Sequence, residues 1–205
     1  MDNSVCGGTI LDEETILSAA HCFYDETRHK YNPSQVKVEV GFTVHINKTH
    51  PKKLQVKKYY LHPRYDPLTF DNDIAILKLM RPLSFNKAKV GPASLPYASF
   101  TPEESDQMGL LSGFGHTRIG ALPNGLSGGK HLMHVTLPFV TNGYCQQKYN
   151  ELETGRHITS RMLCAGYTEG GKNSCPGDSG YYLTPSRTPR ISGLKSQILK
   201  PTFLS

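Results

Sequence analysis

Short runs of alternating apolar and polar residues, separated by turn-forming residues, constrain this chain more than any other feature. Residues 36–40, 43–46 and 54–56 alternate in this way, and residues 74–79 form a more continuous apolar run. A period of two places one face of a strand in a core and the other in water. Similar runs follow at 110–115, 134–140 and 162–166. The pattern predicts a barrel or sandwich of short strands, and only residues 141–147 and 150–155 have locally helical patterns.

Length, charge and hydropathy exclude several classes of protein. The 205 residues are enough for one large all-β domain with its own core. No apolar run approaches the roughly 18 residues of a membrane helix, and residues 1–4 lack the basic start and apolar stretch of a signal peptide. The net charge of +6 includes four basic residues in 181–205, a segment without acidic residues. Because the lysines of 48–58 alternate with apolar residues, like the exposed face of a strand, we expect neither a nucleic-acid nor a membrane partner.

The five cysteines leave two interpretations open. Cys6 lies near Cys22 in the sequence, Cys145 lies near Cys164, and Cys175 stands alone. If the first two pairs are disulfides, each closes a short loop and indicates an oxidising compartment. The alternative is a set of five buried free thiols in a reducing compartment.

Three separated motifs contain the residue types of nucleophilic catalysis: residues 18–22, 71–77 and 173–180. A hydroxyl is a weak nucleophile at neutral pH, so attack on an amide needs a base to take its proton and an acid to orient that base. His21, Asp73 and Ser179 supply these three groups. The glycines around Ser179 allow a tight turn, from which the backbone N–H groups of Gly177 and Ser179 can stabilise a developing oxyanion.

These motifs resemble those of the chymotrypsin/trypsin family of serine proteases, and the similarity extends from about residue 5 to 180. Further matching stretches are Cys6-Gly-Gly-Thr-Ile, Ser112-Gly-Phe-Gly and Met162-Leu-Cys-Ala-Gly-Tyr. The resemblance implies an all-β fold of two antiparallel six-stranded barrels, with His21, Asp73 and Ser179 in the cleft between them.

The same resemblance implies a chemistry, its partners and a compartment. It implies hydrolysis of peptide bonds through an acyl-enzyme, protein or peptide substrates, protein protease inhibitors as further partners, and secretion. It also implies the disulfides Cys6–Cys22 and Cys145–Cys164, with Cys175 unpaired. We expect no cofactor and no metal ion: residues 41–59, which bind calcium in some relatives, contain no acidic residue, and His131 and His134 lie on a predicted strand.

Both ends of the chain depart from the family pattern, so we interpret it as truncated relative to the family. We expect a single protease-like domain over 1–205, with a first barrel at about 5–95, an incomplete second barrel at about 105–180, and a disordered basic tail at 181–205. The family's activation sequence is absent, which leaves Asp178 without its usual partner. Two functions therefore remain open: an impaired serine endopeptidase, or a non-catalytic protease homologue that binds or regulates another protein.

The resemblance also places the base of the substrate pocket at Asn173, followed by Ser174. Trypsin-like relatives have an aspartate there, which binds an arginine or lysine of the substrate. Because an amide offers no counter-charge, we expect the preference for basic residues to be lost.

Overall fold

A computed structural model of the chain describes residues 5–44, 52–86, 90–96, 107–116, 131–175, 177–181 and 183–185. The first half is a curled antiparallel sheet with the strand order β1-β2-β5-β4-β3. Its strands are β1 (Thr9–Ile10), β2 (Thr15–Ser18), β3 (Lys37–Val40), β4 (Lys52–Leu61) and β5 (Ala75–Leu79). Two short 3-10 turns, Ala20–Phe23 and Pro33–Gln35, lie between β2 and β3.

Alternating burial along these strands builds the core of the first half. In β4, Leu54 and Val56 are buried, while Gln55 between them is exposed. Every residue of β2 is buried, because β2 pairs with β1 on one side and with β5 on the other. The core joins one face of the curled sheet to the ring of Phe23, with these buried residues: Ile16, Phe23, Leu54, Val56, Ala75, Leu77, Leu79 and Leu83.

In the second half, the described residues form a four-stranded antiparallel sheet with the order β8-β7-β6-β9 and one helix. Its elements are β6 (Met108–Gly113), β7 (Met133–Val140), α1 (Asn142–Glu151), β8 (Cys164–Ala165) and β9 (Leu183–Pro185). Thr141 caps α1, since its side chain accepts a hydrogen bond from the N–H of Tyr144 at 3.2 Å. A disulfide between Cys145 and Cys164 joins α1 to β8 inside a small core.

The structure confirms the all-β fold of two antiparallel sheets. Within the described residues the sheets have five and four strands, fewer than the six expected in each barrel. The predicted helical segment 141–147 lies in helix α1, but of the segment 150–155 only residues 150 and 151 are helical. Of the predicted strand at 43–46, Val44 makes an isolated bridge to His131, and residues 45–46 lie outside the described residues.

Both predicted disulfides are present, and Cys175 is a free cysteine. The expected disorder of the tail is wrong for its first part, because Leu183–Pro185 is strand β9, paired with residues 109–111 of β6. An edge strand presents unpaired backbone groups, and β9 satisfies those of β6. Residues 186–205 lie outside the described residues. No helix in the described part of the chain is long and apolar enough to cross a membrane.

Candidate active site

Two neighbouring strands bring His21 and Asp73 together. Ser18 at the end of β2 pairs with Ala75 at the start of β5, so the segments that follow β2 and precede β5 lie at the same end of the sheet. His21 is in the 3-10 turn Ala20–Phe23, and Asp73 is two residues before β5. The Nδ1 atom of His21 is 2.7 Å from Oδ2 of Asp73, and the backbone N–H of His21 donates to Oδ1 of Asp73 at 2.8 Å.

This pair determines which nitrogen of His21 can act as a base. A carboxylate only accepts hydrogen bonds, so the nitrogen that faces Asp73, Nδ1, carries the proton. The other nitrogen, Nε2, is then an acceptor, and it lies 3.7 Å from the disulfide sulfur of Cys22. The side chains of His21 and Asp73 are only 24% and 12% exposed, so water screens their interaction weakly.

The Ser179 turn is attached to the first half close to His21. The carbonyl of Ser179 accepts a hydrogen bond from the N–H of Gly7, and the hydroxyl of Ser18 donates to the carbonyl of Gly7 at 2.8 Å. Gly180, with a φ of 88°, packs so closely that a side-chain carbon there would lie 2.6 Å from the hydroxyl oxygen of Ser18. Ser179 therefore lies beside Ser18, the last residue of β2, and His21 follows Ser18 by three residues. Within the described residues, Ser179 Oγ donates no hydrogen bond to His21 Nε2.

The predicted oxyanion groups lie in a turn that depends on a glycine. Gly177 has a φ of 96°, a conformation that favours glycine. Within the described residues, the N–H groups of Gly177 and Ser179 donate to no protein acceptor. Their role as oxyanion donors remains a prediction.

Asp178, between these two residues, is partly buried against Gly113 at the end of β6 and Gly115 just beyond it. Its Oδ1 accepts from the N–H of Gly115 at 2.8 Å, and its Oδ2 accepts from the N–H of Cys175 at 3.0 Å. A side chain at Gly115 would occupy the space of this carboxyl group. Burial raises the pKa of Asp178, and the two N–H groups lower it by less. No cationic group of the described residues forms a salt bridge with it.

The predicted pocket residues lie at the surface of the described part of the chain. Asn173 is exposed, and its Oδ1 accepts a hydrogen bond from the N–H of Ser174 at 2.8 Å. Ser174 is half-buried. Their role at the base of a substrate pocket remains a prediction.

One possible metal cluster is explained by the disulfide. Donor atoms of Cys6, His21 and Cys22 lie within 4.8 Å of one another. Both sulfurs belong to the Cys6–Cys22 disulfide and offer no thiolate, so these residues are unsuited to bind a metal ion.

The sequence patterns missed two features around the site. Tyr181 packs its ring against Gly7 and Gly113, and burial, followed by the charge of Asp178, raises the pKa of Tyr181 to about 12. Arg161, which is 90 positions away from Asp71 in the sequence, binds the carboxylate of that residue. No local pattern could reveal either contact, because each joins segments that meet only in the fold.

Comparison with known proteins identifies serine proteases of the trypsin type as relatives of this chain. The family model Trypsin matches residues 1–187. Human mannan-binding lectin serine protease 1 is 35% identical over 185 residues, which cover 85% of this chain and 25% of that protein. Trypsin-1 of Astacus astacus is 34% identical over 184 residues, covering 89% of this chain and 71% of that one. Anionic trypsin of Canis lupus familiaris is 33% identical over 176 residues, covering 85% and 62%. The chain thus spans about a quarter of the first of these relatives.

Proposed function

The chain belongs to the trypsin family of serine proteases, and from that premise we propose that it is an endopeptidase that hydrolyses peptide bonds through an acyl-enzyme on Ser179. The observation that carries the proposal is the double hydrogen bond of His21 to Asp73, at 2.7 and 2.8 Å. It fixes both the orientation and the proton position of a base beside the Ser179 turn. A purely structural histidine does not need this arrangement.

In the proposed mechanism, Nε2 of His21 removes the hydroxyl proton of Ser179 as the oxygen attacks the peptide carbonyl. Asp73 stabilises the imidazolium that forms and keeps its ring in place. The imidazolium then gives its proton to the leaving amine. Water, activated by His21 in the same way, attacks the acyl-enzyme, so the acid product leaves and Ser179 regains its hydrogen.

The uncommitted N–H groups of Gly177 and Ser179 support a role in binding the oxyanion. Backbone donors that point at the developing charge stabilise the tetrahedral intermediate more than the substrate. This role needs the Ser179 turn to hold one conformation.

We further propose that turnover is slow. The Asp178 carboxyl is central to this turn, yet it is partly buried and its hydrogen bonds in the described residues come from backbone N–H groups alone. A carboxylate that is partly removed from water without a salt-bridge partner destabilises the turn that contains it. The loss of one oxyanion donor reduces the rate by about 100- to 1000-fold. The same observation favours the second candidate function, a non-catalytic homologue that binds or regulates another protein.

Asn173 and Ser174 are the proposed pocket residues. A neutral amide at the pocket base would leave a bound arginine or lysine without a counter-charge. We therefore propose that basic residues of the substrate are not preferred.

The two disulfides support secretion into an oxidising, extracellular compartment. Protein or peptide substrates and protein protease inhibitors are the partners that we propose for such an enzyme.

The test compares the wild-type protein with Ser179→Ala on an unselective, fluorescently labelled protein substrate. Ser84→Ala is the matched control, because Ser84 is exposed and the same atom is removed. We expect slow turnover by the wild type and by Ser84→Ala, and none by Ser179→Ala. Equal signals from folded wild type and Ser179→Ala would reject the endopeptidase and leave the non-catalytic homologue.

A further inference from the structure

The segment that carries Asp73 is a looped connection, residues 62–74, which we call the Asp73 loop. It closes on itself through a hydrogen bond from the N–H of His62 to the carbonyl of Ile74 at 3.0 Å. Phe70 and Asn72 adopt positive φ angles of 60° and 56°, a region that asparagine tolerates but that is unfavourable for a bulky residue such as phenylalanine. Such a backbone persists only where its surroundings hold it. Asp73 follows directly, so whatever holds this turn also sets the position of Asp73.

The second half of the molecule supplies one such restraint at Asp71. The hydroxyl of Thr159 donates to Oδ1 of Asp71 at 2.9 Å, and Nε of Arg161 donates to the same oxygen at 3.0 Å. A terminal nitrogen of Arg161 donates to Oδ2. The guanidinium thus binds both carboxylate oxygens, a geometry that fixes direction as well as distance. The hydrogen bond with Arg161 is the largest cause that lowers the pKa of Asp71.

A second restraint acts on Phe70 and reaches His21. The guanidinium carbon of Arg156 lies 4.9 Å from the ring centroid of Phe70. The Phe70 ring also meets the imidazole of His21 nearly edge-on, at 5.9 Å between centroids and an angle of 78°. Arg156 therefore restrains a ring that packs directly against His21.

Both arginines belong to the segment between α1 and β8, which hydrogen bonds and a disulfide tie to α1. Gln146 of α1 donates to the carbonyl of Arg156 at 2.9 Å and accepts from the N–H of Ile158 at 2.7 Å. Asn142 donates to the carbonyls of Thr159 and Met162, at 3.1 and 2.9 Å. The Cys145–Cys164 disulfide then joins α1 to the strand that follows.

We propose that Arg161 and Arg156 are positioning residues for the His21–Asp73 pair, through which the second half of the molecule holds the catalytic base of the first. The inference deepens the proposed function and rests on it. Arg161 fixes Asp71, two residues before Asp73, and Arg156 fixes the ring that packs on His21. Neither arginine needs to touch a substrate to act in this way.

The test uses Arg161→Gln, which removes the charge and the two-oxygen contact. The matched control is Lys148→Gln. Lys148 forms an ion pair at 2.7 Å with Glu151, another residue of α1, and not with a residue of the Asp73 loop. Two measurements are made on the full chain with its disulfides formed. The first is the rate at which Ser179 is acylated by a small activated ester, separated into kcat and KM. The second is the downfield proton NMR resonance of His21 Nδ1–H, which reports its hydrogen bond to Asp73 without any turnover.

We expect Arg161→Gln to lower kcat about tenfold with KM within about twofold, and to shift or broaden the Nδ1–H resonance, because small displacements of a base are costly. Arg161→Lys should recover part of kcat, and Lys148→Gln should leave both measurements unchanged. If Arg161→Gln does not fold, Asp71→Asn removes the same ion pair while keeping the side-chain shape. A folded variant with unchanged resonance and unchanged kcat overturns the inference. If no protein is acylated but the resonance still responds to Arg161→Gln, the proposed function fails and the positioning role stands.

Discussion

Replacing Asp73 with asparagine removes one charge and keeps the shape of the side chain. The asparagine oxygen can still accept the hydrogen bond from the backbone N–H of His21, now made at 2.8 Å. Its NH2 group would then face Nδ1 and can only donate to it. The ring proton therefore moves to Nε2, which can no longer take a proton from Ser179.

The size of the effect follows from the site's geometry. Two unit charges about 4 Å apart at an effective dielectric constant of about 20 interact by about 4 kcal/mol. His21 and Asp73 are 24% and 12% exposed, so solvent screening leaves about 2 to 4 kcal/mol of stabilisation of the imidazolium. This loss corresponds to a decrease in acylation rate of roughly 30- to 1000-fold.

The assay is the initial burst of acylation by a small activated ester, which makes little demand on a substrate pocket. The control is Asp66→Asn, the same chemical change in the same loop. Asp66 accepts hydrogen bonds from the N–H of Leu68 and the hydroxyl of Thr69, with no contact to His21. We expect the control to retain its rate within about threefold. An Asp73→Asn rate within threefold of the wild type, in a folded protein, would refute this reasoning.

Three further predictions concern stability and specificity. The double variant Cys145→Ala/Cys164→Ala opens a loop with a sequence separation of 19, and urea unfolding should show a loss of about 3 kcal/mol. Burial raises the folded-state pKa of Asp178, so its contribution to stability is full below the unfolded pKa and is lost as the pH rises through the folded one. Asp178→Asn should therefore gain stability relative to the wild type as the pH is raised from about 3.5 to 7, and a constant difference in urea midpoint would contradict this. Asn173→Asp should raise the relative cleavage after arginine or lysine at least tenfold in peptide assays, whereas an unchanged preference would place the pocket base elsewhere.

Local sequence patterns predict most of the first sheet. The alternation at 54–56 corresponds to the buried Leu54 and Val56 of β4. Successive side chains of a strand point to opposite faces, so a strand with one face in solvent alternates apolar and polar residues. Strand β2 was not predicted from periodicity, since all four of its residues are buried between two neighbouring strands. Strand β9 has no recognisable strand pattern either, because it contains too few apolar residues. It pairs because the edge of β6 is available.

In the candidate site, too, some features could be predicted from the sequence and others could not. The sequence motifs singled out His21 and Asp73, and the structure joins them by two hydrogen bonds. The restraints from Arg156 and Arg161 depend on how the two halves pack, and a single sequence contains no signal for contacts between residues so far apart along the chain. The role of Ser179 remains a prediction, supported by its place beside the end of β2.

The most direct test of the central claim is covalent labelling of Ser179 by an organophosphorus fluoridate, in which the serine oxygen bonds to phosphorus and fluoride leaves. Intact-mass measurement followed by peptide mapping identifies the modified residue, with folded His21→Ala as the comparison. We predict one adduct per chain, on Ser179, forming at least tenfold more slowly in His21→Ala. No adduct on the folded wild-type protein, or an equal rate in His21→Ala, would contradict the assignment of Ser179 and His21 as nucleophile and base.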